Sequence, residues 1–401
     1  MTTTRAGRFV KQPTGYAAFI PAPLPPSPPV SLDADGVSVL SAADLAIGRL
    51  DGVAQTLPNP DLFVAMYVRR EAVLSSQIEG TQSTLDDVLA FELDAGAREL
   101  PKDVEEIVNY VKAMNYGIDR LGQLPLSLRL IREIHAELMR NVRGQHKDPG
   151  EFRRSQNWIA LGARTPIDRA TFVPPPVHEM TAALDDFEKY LHAERALPVL
   201  VHCGIAHAQF ETIHPFLDGN GRVGRLLISF LLVHRGVMHR PLLYLSHFFK
   251  ANQTEYYARL MAVREAGDWE GWLTFFLQGV AETSMDATET AKRIVSMREA
   301  HRALIQEGMS PNGLRLLDLL FKRPLVNIAL VEDRLNLAFV TAAKLMDGLL
   351  ALGIVEEVTG GRRNRVYRYS PYLALFADQT PNLKQAEQPE GEDGQQRLPI
   401  T

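Results

Sequence analysis

Residues 214–225 read HPFLDGNGRVGR, and the apolar run LLISFLLV follows at 226–233. One short stretch thus holds an imidazole, a carboxylate, two glycines around an asparagine, and two arginines three apart. Gly219, Asn220 and Gly221 can take backbone conformations closed to most residues, with successive N–H groups pointing the same way. Because the apolar run begins at once, these N–H groups fall at a helix N-terminus, where the dipole favours anions. Arg222 and Arg225 share a face of that first turn. Two guanidiniums over an anion nest suit a polyphosphate. Asp218 sits beside the nest, where one carboxylate together with phosphate oxygens can hold Mg2+. His214, whose ordinary pKa is near neutral, is a candidate general base.

Taken singly, each residue has an ordinary explanation. A histidine before proline is commonly structural, GNG is commonly a turn, and paired arginines commonly solvate a helix end. The conjunction at compatible spacing is what argues for a site. No GxxxxGK[ST] and no strand-borne GxGxxG occur, which excludes a P-loop and a dinucleotide fingerprint. His202, His207 and His214 do not read as a zinc site, because 202 and 207 diverge on one helix and no carboxylate follows at a zincin spacing.

The 401-residue length suggests two or three domains. A net charge of −5 argues against a protein that coats nucleic acid everywhere, though it leaves room for one small basic module. The single cysteine, Cys203, excludes an intramolecular disulfide and any CxxC metal site, and it suits a reducing compartment. The stretch MTTTRAGRFVKQPTGYAAF lacks the apolar core of a secretory signal. The longest apolar run, 226–233, is too short to span a bilayer. The expectation is a cytoplasmic protein with no membrane partner.

Residues 20–30, IPAPLPPSPPV, are proline-dense and are expected as an extended, polyproline-like arm within a segment 1–35. From about residue 60 helical periodicity dominates. DLFVAMYVRREAVLSSQIEG carries apolar Leu62, Met66, Val73 and Ile78 at helical spacing, with Gly80 as a stop. Ser83 and Thr84 can cap a second helix, LDDVLAFEL. Further helices are expected over 104–121, 126–140, 177–192 and 198–211. SQNWIALGARTPIDRATFVPPP mixes β-branched and turn residues and reads as a hairpin. After about residue 305 come three short helices (PNGLRLLDLLFKRP, VNIALVEDRLNL, AFVTAAKLMDGLLALG) and two β-rich runs around Gly360–Gly361. That is a winged helix-turn-helix pattern over 305–377. The tail 378–401, rich in Gln, Glu, Gly and Pro, is expected to be disordered.

HPFLDGNGRVGR resembles the signature of the Fic family, H-x-F-x-[DE]-G-N-[GK]-R-x-x-R, with every fixed position present. The resemblance implies a mainly α fold: a Fic-type helical core over 101–304, a short β-hairpin flap, and a Fic N-terminal region over 36–100. The winged helix would be an appended module. It also implies protein adenylyltransferase activity, the transfer of AMP from ATP to a hydroxyl side chain of a target protein. His214 would deprotonate the target hydroxyl, and Asp218 would hold Mg2+ on the α- and β-phosphates. Gly219, Asn220 and Gly221 would cradle the phosphates, Arg222 would support the β-phosphate, and Arg225 would reach the γ-phosphate. Phe216 would anchor the loop in the core. Such in-line chemistry needs positioning and charge neutralisation more than covalent catalysis.

A second motif gains meaning from the first. In LSSQIEGTQSTLDDVL, Ser75 and Glu79 are four apart and share a helix face, with Gly80 ending the helix. S-x-x-x-E-G is similar to the inhibitory-helix motif of intramolecularly inhibited Fic proteins, in which the glutamate pairs with the second signature arginine, here Arg225. The carboxylate would remove a γ-phosphate clamp and put negative charge where that phosphate belongs. The hairpin's Trp158, Ile159, Thr171, Phe172 and Val173 fall where the family carries a target-binding flap, which can hold a backbone by strand addition. Asn252, Tyr256 and Tyr257 fall where the adenine-side helix begins, with Tyr256 the expected ATP-binding member.

Competing functions follow from other features. Arg362, Arg363, Arg365 and Arg368 cluster at the expected wing, where a DNA-binding regulator would contact phosphates. The helix AFVTAAKLMDGLLALG, however, has only Lys344 as a cation, which suits docking to a protein partner or to a second copy in a homodimer. A Fic-type site with a nearby glutamate could also remove AMP, with Glu79 orienting a water. The implied partners are ATP, Mg2+ and a hydroxyl-bearing target protein, the chain itself among the candidates.

Overall fold

The computed structural model describes residues 3–56, 60–93, 101, 103–142, 146–160, 165–193, 197–361 and 364–376. The N-terminal segment forms an antiparallel sheet of β1 (Thr3–Thr4), β2 (Gly7–Lys11) and β3 (Ala17–Pro21), with Phe9 opposite Phe19. The sequence reading had anticipated only a proline arm here. The sheet forms because Ala18, Phe19 and Ile20 are all buried, so tertiary packing fixes a segment too short to announce itself. Helix α1 (Ala34–Thr56) was likewise not anticipated: its Ala- and Gly-rich sequence has weak periodicity. It packs along the long helix α11 described below.

α2 (Pro60–Ile78) ends as expected before Gly80, whose φ of 96° no helical residue could continue. α3 (Leu85–Leu93) opens with a reciprocal cap between Thr84 and Asp87: Thr84 N–H donates to Asp87 Oδ2 at 2.8 Å and Asp87 N–H to Thr84 Oγ1 at 3.2 Å. Ser83, the other expected cap, is drawn away to Asp103. α4 (Val104–Leu121) matches its expected span. α5 (Leu128–Leu138) starts two residues late because Ser127 serves as its cap, accepting from Leu130 N–H at 3.4 Å. α6 (Val177–His192) again matches.

α7 (Val199–Ile213) and α8 (Asn220–His234) are the most completely buried helices, apolar on nearly all sides. The loop joining them, 214–219, therefore starts and ends on fixed supports deep in the core. α9 (Ser246–Ala251) and α10 (Gln253–Ala266) lead into α11 (Trp269–Gly308), whose 40 residues run through the domain boundary expected at 304/305. Buried Ile305 lies under the next helix, so the boundary sits inside one continuous element.

The C-terminal unit comprises α12 (Pro311–Lys322), β4 (Leu325–Asn327), α13 (Ile328–Leu335), α14 (Phe339–Ala351), β5 (Glu356–Glu357), β6 (Val366–Arg368) and the single turn α15 (Ser370–Leu373). Its antiparallel sheet has the order β4-β6-β5. Asn327 caps α13, accepting from Leu330 N–H at 2.8 Å, and Asn336 ends it in the left-handed region. The unit leans on α2 and α3: α12 packs on α2, Arg368 meets Asp86 at 3.1 Å, and Arg323 donates to Glu92 O at 3.2 Å. The fold is mainly helical with two small sheets. Arg362, Arg363 and the tail from 378 lie outside the described residues.

Among the described residues, the expected hairpin between 155 and 176 shows one antiparallel bridge, Ile159 with Phe172, and a 3-10 turn over Ile167–Arg169. Three consecutive prolines, 174–176, supply no N–H and cannot extend the ladder.

Candidate active site

α7 ends where His214 takes a left-handed conformation, φ 48° and ψ 60°, its N–H donating to Phe210 O. Such a backbone is uncommon outside glycine and persists only when its surroundings hold it. Here Arg153 Nε and Asn157 Nδ2 donate to the His214 carbonyl at 3.1 and 3.3 Å. The imidazole Nδ1 is buried beside the Glu211 backbone. Burial pushes this histidine down to about 4, with Arg264 and Arg153 acting in the same direction against Glu79. At neutral pH the ring is uncharged and has a lone pair to offer.

Phe216 is fully buried and stacks on His135 with ring centroids 3.8 Å apart. Asn220 closes the loop with its side chain: Phe216 N–H donates to Oδ1 and Nδ2 donates to Phe216 O, both at 2.8 Å. The expectation that Asn220 cradles phosphate is thus narrowed to its backbone N–H, because the amide is spent on loop closure. Gly219 is left-handed, φ 77°, and the α8 ladder opens with Val223 N–H on Gly219 O at 3.0 Å. The N–H groups of Asn220, Gly221 and Arg222 have no intrahelical acceptor, which makes this helix start receptive to an anion.

A carboxylate lies there. Glu79 Oε1 accepts from Arg225 at 2.7 Å, and a β-carbon at Gly221 would fall 2.2 Å from the same oxygen. Glu79 thus rests on the bare backbone of Gly221, at the mouth of the nest. Ser75, one turn earlier on α2, accepts from Arg225 Nε through its hydroxyl at 2.8 Å and from a second nitrogen through its carbonyl at 3.0 Å. Burial raises the Glu79 carboxyl, but the charge and hydrogen bond of Arg225, with Arg222 and His214, together outweigh it and leave the group below its ordinary value. Arg225 is held above its ordinary value by the same pairing, against the effect of burial.

Arg222 is buried and bonds Glu106 of α4 at 3.1 Å, with Asp218 at 3.8 Å. Asp218 keeps 29% of its side chain exposed, and Oδ2 accepts from Lys147 at 2.9 Å. Burial works against its charge, but Lys147 outweighs that and the carboxyl lies below its ordinary value. Gly150 N–H donates to His135 Nδ1 at 2.9 Å, so Nε2 carries the proton and donates to Asp218 O at 3.0 Å. Glu106, His135, Lys147 and Arg153 were all missed in the sequence. Nothing in their spacing links them to 214–225.

Tyr256, the expected ATP-binding member, is 1% exposed, and its hydroxyl meets His207 Nε2 at 2.9 Å. Successive side chains on α10 point about 100° apart, which brings Tyr257, 45% exposed, to the surface instead. Asn252 bonds back to Phe248 O. At the flap, Ile159 and Phe172 exchange backbone bonds of 2.8 and 3.2 Å, and Thr171 N–H donates to Ile159 O at 2.9 Å. Trp158 is 42% exposed with its indole on Thr165 O. Phe172 and Val173 are buried, and Phe19 of β3 donates to Val173 O at 2.9 Å. The Val173 carbonyl is thereby engaged by β3.

A neutral imidazole at one helix end facing a carboxylate-plugged anion nest at the next defines the class. Residues 37–119 match the Fic/DOC family N-terminal model and residues 125–232 match the Fic/DOC family model. It is 30% identical over 227 residues to the protein adenylyltransferase Fic of Drosophila willistoni, a match covering 52% of this chain and 42% of that protein. With the namesake from Drosophila grimshawi it shares 31% over 184 residues, covering 44% and 34%. The chain thus spans less than half the length of these relatives. The crystal structure of a Fic family protein from Desulfovibrio desulfuricans G20 superposes with a TM-score of 0.56 at 22% identity, covering 85% of this chain and 97% of that one. The two share a fold.

Proposed function

We propose that this protein is an autoinhibited adenylyltransferase that moves AMP from ATP to a Ser, Thr or Tyr hydroxyl of a target protein. The single observation that carries the reading is the Glu79 carboxylate against Gly221 and Arg225, beside the uncharged His214 imidazole. In the transfer, His214 takes the hydroxyl proton while the target oxygen bonds to the α-phosphorus. The bond from that phosphorus to the bridging oxygen breaks, and pyrophosphate leaves with the electron pair. The backbone at 219–221 receives phosphate oxygens, Arg222 and Arg225 neutralise the β- and γ-phosphates, and Tyr257 offers an exposed ring to the base.

Asp218 fits a magnesium ligand. Its carboxylate already faces a cation, Lys147, and is exposed enough for a hard ion to reach its oxygens. Bound there, the ion would neutralise charge on the α- and β-phosphates. Ser75, Glu79 and Gly80 form the inhibitory element: with Glu79 in place, the γ-phosphate loses both its clamp and its space. Trp158, Ile159 and Thr171 present the flap to the target.

The C-terminal unit reads as a winged helix whose chemistry favours a protein partner or a second copy. Arg365 is engaged by Asp347 at 3.5 Å and Arg368 by Asp86, whereas Phe339 and Val340 on α14 are 57% and 64% exposed. Among the described residues, no helix is long and apolar enough to cross a membrane.

The test is incubation of the wild-type chain and Glu79→Gly with Mg2+ and ATP, followed by intact-mass spectrometry of candidate acceptors. A mass gain equal to AMP, larger with the variant, is the expected result. Transfer of another phosphate-containing group, or none, would overturn the reading.

A further inference from the structure

Arg153 is 2% exposed, and every hydrogen bond that its guanidinium makes goes to a backbone carbonyl. Nε donates to His214 O at 3.1 Å, one terminal nitrogen to Ser155 O at 3.2 Å, and the other to Pro175 O. No carboxylate forms an ion pair with it among the described residues, and burial pulls its pKa down to about 10. A buried cation without a counter-charge is costly. What it holds together must therefore compensate.

The three carbonyls it joins are the backbone of the base and the two stems of the flap. Ser155 precedes the first flap strand and Pro175 follows the second. Arg153 N–H also donates to Pro215 O at 2.9 Å, so both its backbone and its side chain grip the loop beginning at His214. Neighbours repeat the connection. Asn157 donates to His214 O and Phe216 O, and Gln156 donates to Pro174 O at 2.9 Å. The guanidinium holds its N–H groups in a rigid fork spread over three nitrogens, whereas an ammonium gathers its three rotatable donors on one atom at the end of a flexible stem.

We infer that Arg153 is a positioning residue that locks the flap and His214 into one rigid unit. A hydroxyl presented by a flap-bound chain is thereby delivered in register with the imidazole. The inference rests on the proposed transfer reaction for its meaning, but the tie can be tested without it. Effective delivery depends on placement to within a fraction of an ångström, so loosening the tie should cost turnover rather than nucleotide binding.

Arg153→Lys, and separately Asn157→Ala, are introduced into the Glu79→Gly background. Hydrogen exchange followed by mass spectrometry reads the first outcome. Peptides covering 152–160, 171–176 and 212–218 should exchange faster together, by about tenfold for the lysine variant and less for Asn157→Ala, while α4 and α11 peptides are unchanged. The second outcome is a partition. AMP transfer to a His214→Ala copy of the chain should fall about tenfold in kcat, with the KM for ATP within about twofold and pyrophosphate release to water falling less. Uniformly faster exchange, unchanged flap and loop exchange, or equal losses to protein and water would overturn the inference. If the Glu79→Gly parent itself releases no pyrophosphate and transfers no AMP, the proposed reaction fails. The exchange data would still decide the tie.

Discussion

Glu79 and Arg225 stand 146 positions apart in the chain and meet at 2.7 Å, with Ser75 bonding the same guanidinium twice. The arginine is nearly inaccessible, whereas the glutamate keeps 39% of its side chain exposed. An exposed partner can leave, and a buried one must stay. Glu79→Gly should therefore raise AMP incorporation by about tenfold or more, the equivalent of roughly 1.4 kcal/mol in barrier. Arg225→Ala should abolish it even in that background. Incorporation of label from α-labelled ATP checks both, and an inactive glycine variant would remove autoinhibition from the account.

Arg222 depends on a residue that no motif names. Its guanidinium is 5% exposed and its close partner is Glu106, itself 12% exposed. Glu106→Gln keeps the shape but removes the charge, leaving a buried cation partly uncompensated. The expected loss is about 1–3 kcal/mol of stability, with ATP affinity weakened several-fold as the guanidinium shifts. Urea unfolding and calorimetric ATP titration in the Glu79→Gly background measure the two effects.

These two pairs show what the sequence could and could not disclose. The loop 214–225 was legible because its residues are contiguous and because a helix start acts on anions through its own backbone. Ser75 and Glu79 were legible because four residues make one turn, and the family resemblance supplied Arg225 as their partner. Glu106, Lys147 and Arg153 were invisible: each reaches the loop across 61 to 116 positions, and only the packing of α4, α5 and the flap stems brings them there. The burial of Tyr256 was not legible for a local reason. Two adjacent tyrosines cannot be told apart by composition, and the helix phase that buries one and exposes the other is set by Phe249 stacking on Tyr256 with Trp272 tilted against it.

Acid should destabilise the protein before most carboxylates titrate. Burial pushes His135, His202 and His214 down to about 4 and His207 to about 3. Between those values and the ordinary 6.5, the unfolded chain binds protons that the native one does not. Glu71 and Glu211 act oppositely, since burial raises both to about 7 and the native state then holds the extra proton. His234 and His301 are also lowered by burial, so six histidines gain and two carboxyls lose; unfolding near pH 5.5 should take up at least about two protons net, and stability should rise with pH across 5 to 6. Urea titrations at several pH values give that number from their slope. The same shift leaves His214 uncharged well below pH 6.5, so the acid limb of kcat/KM should lie nearer 4 to 5.

The arginines at 362, 363, 365 and 368 give a last quantitative test. Four free arginines at a duplex would release counterions with a slope of about −3.6 in log K against log salt, at roughly 0.9 per phosphate. Arg365 is held by Asp347 and Arg368 by Asp86, so the slope for the whole chain should fall short of that by about two phosphates. Asp86→Ala frees Arg368 and should steepen the slope by about 0.9, as should Asp347→Ala for Arg365. Fluorescence anisotropy with a labelled duplex reads these slopes directly. A full slope in the wild-type chain would mean that DNA outcompetes both carboxylates. Because Asp86 sits on α3, just beyond the Glu79 segment, it would also tie nucleic-acid binding to the proposed inhibitory element.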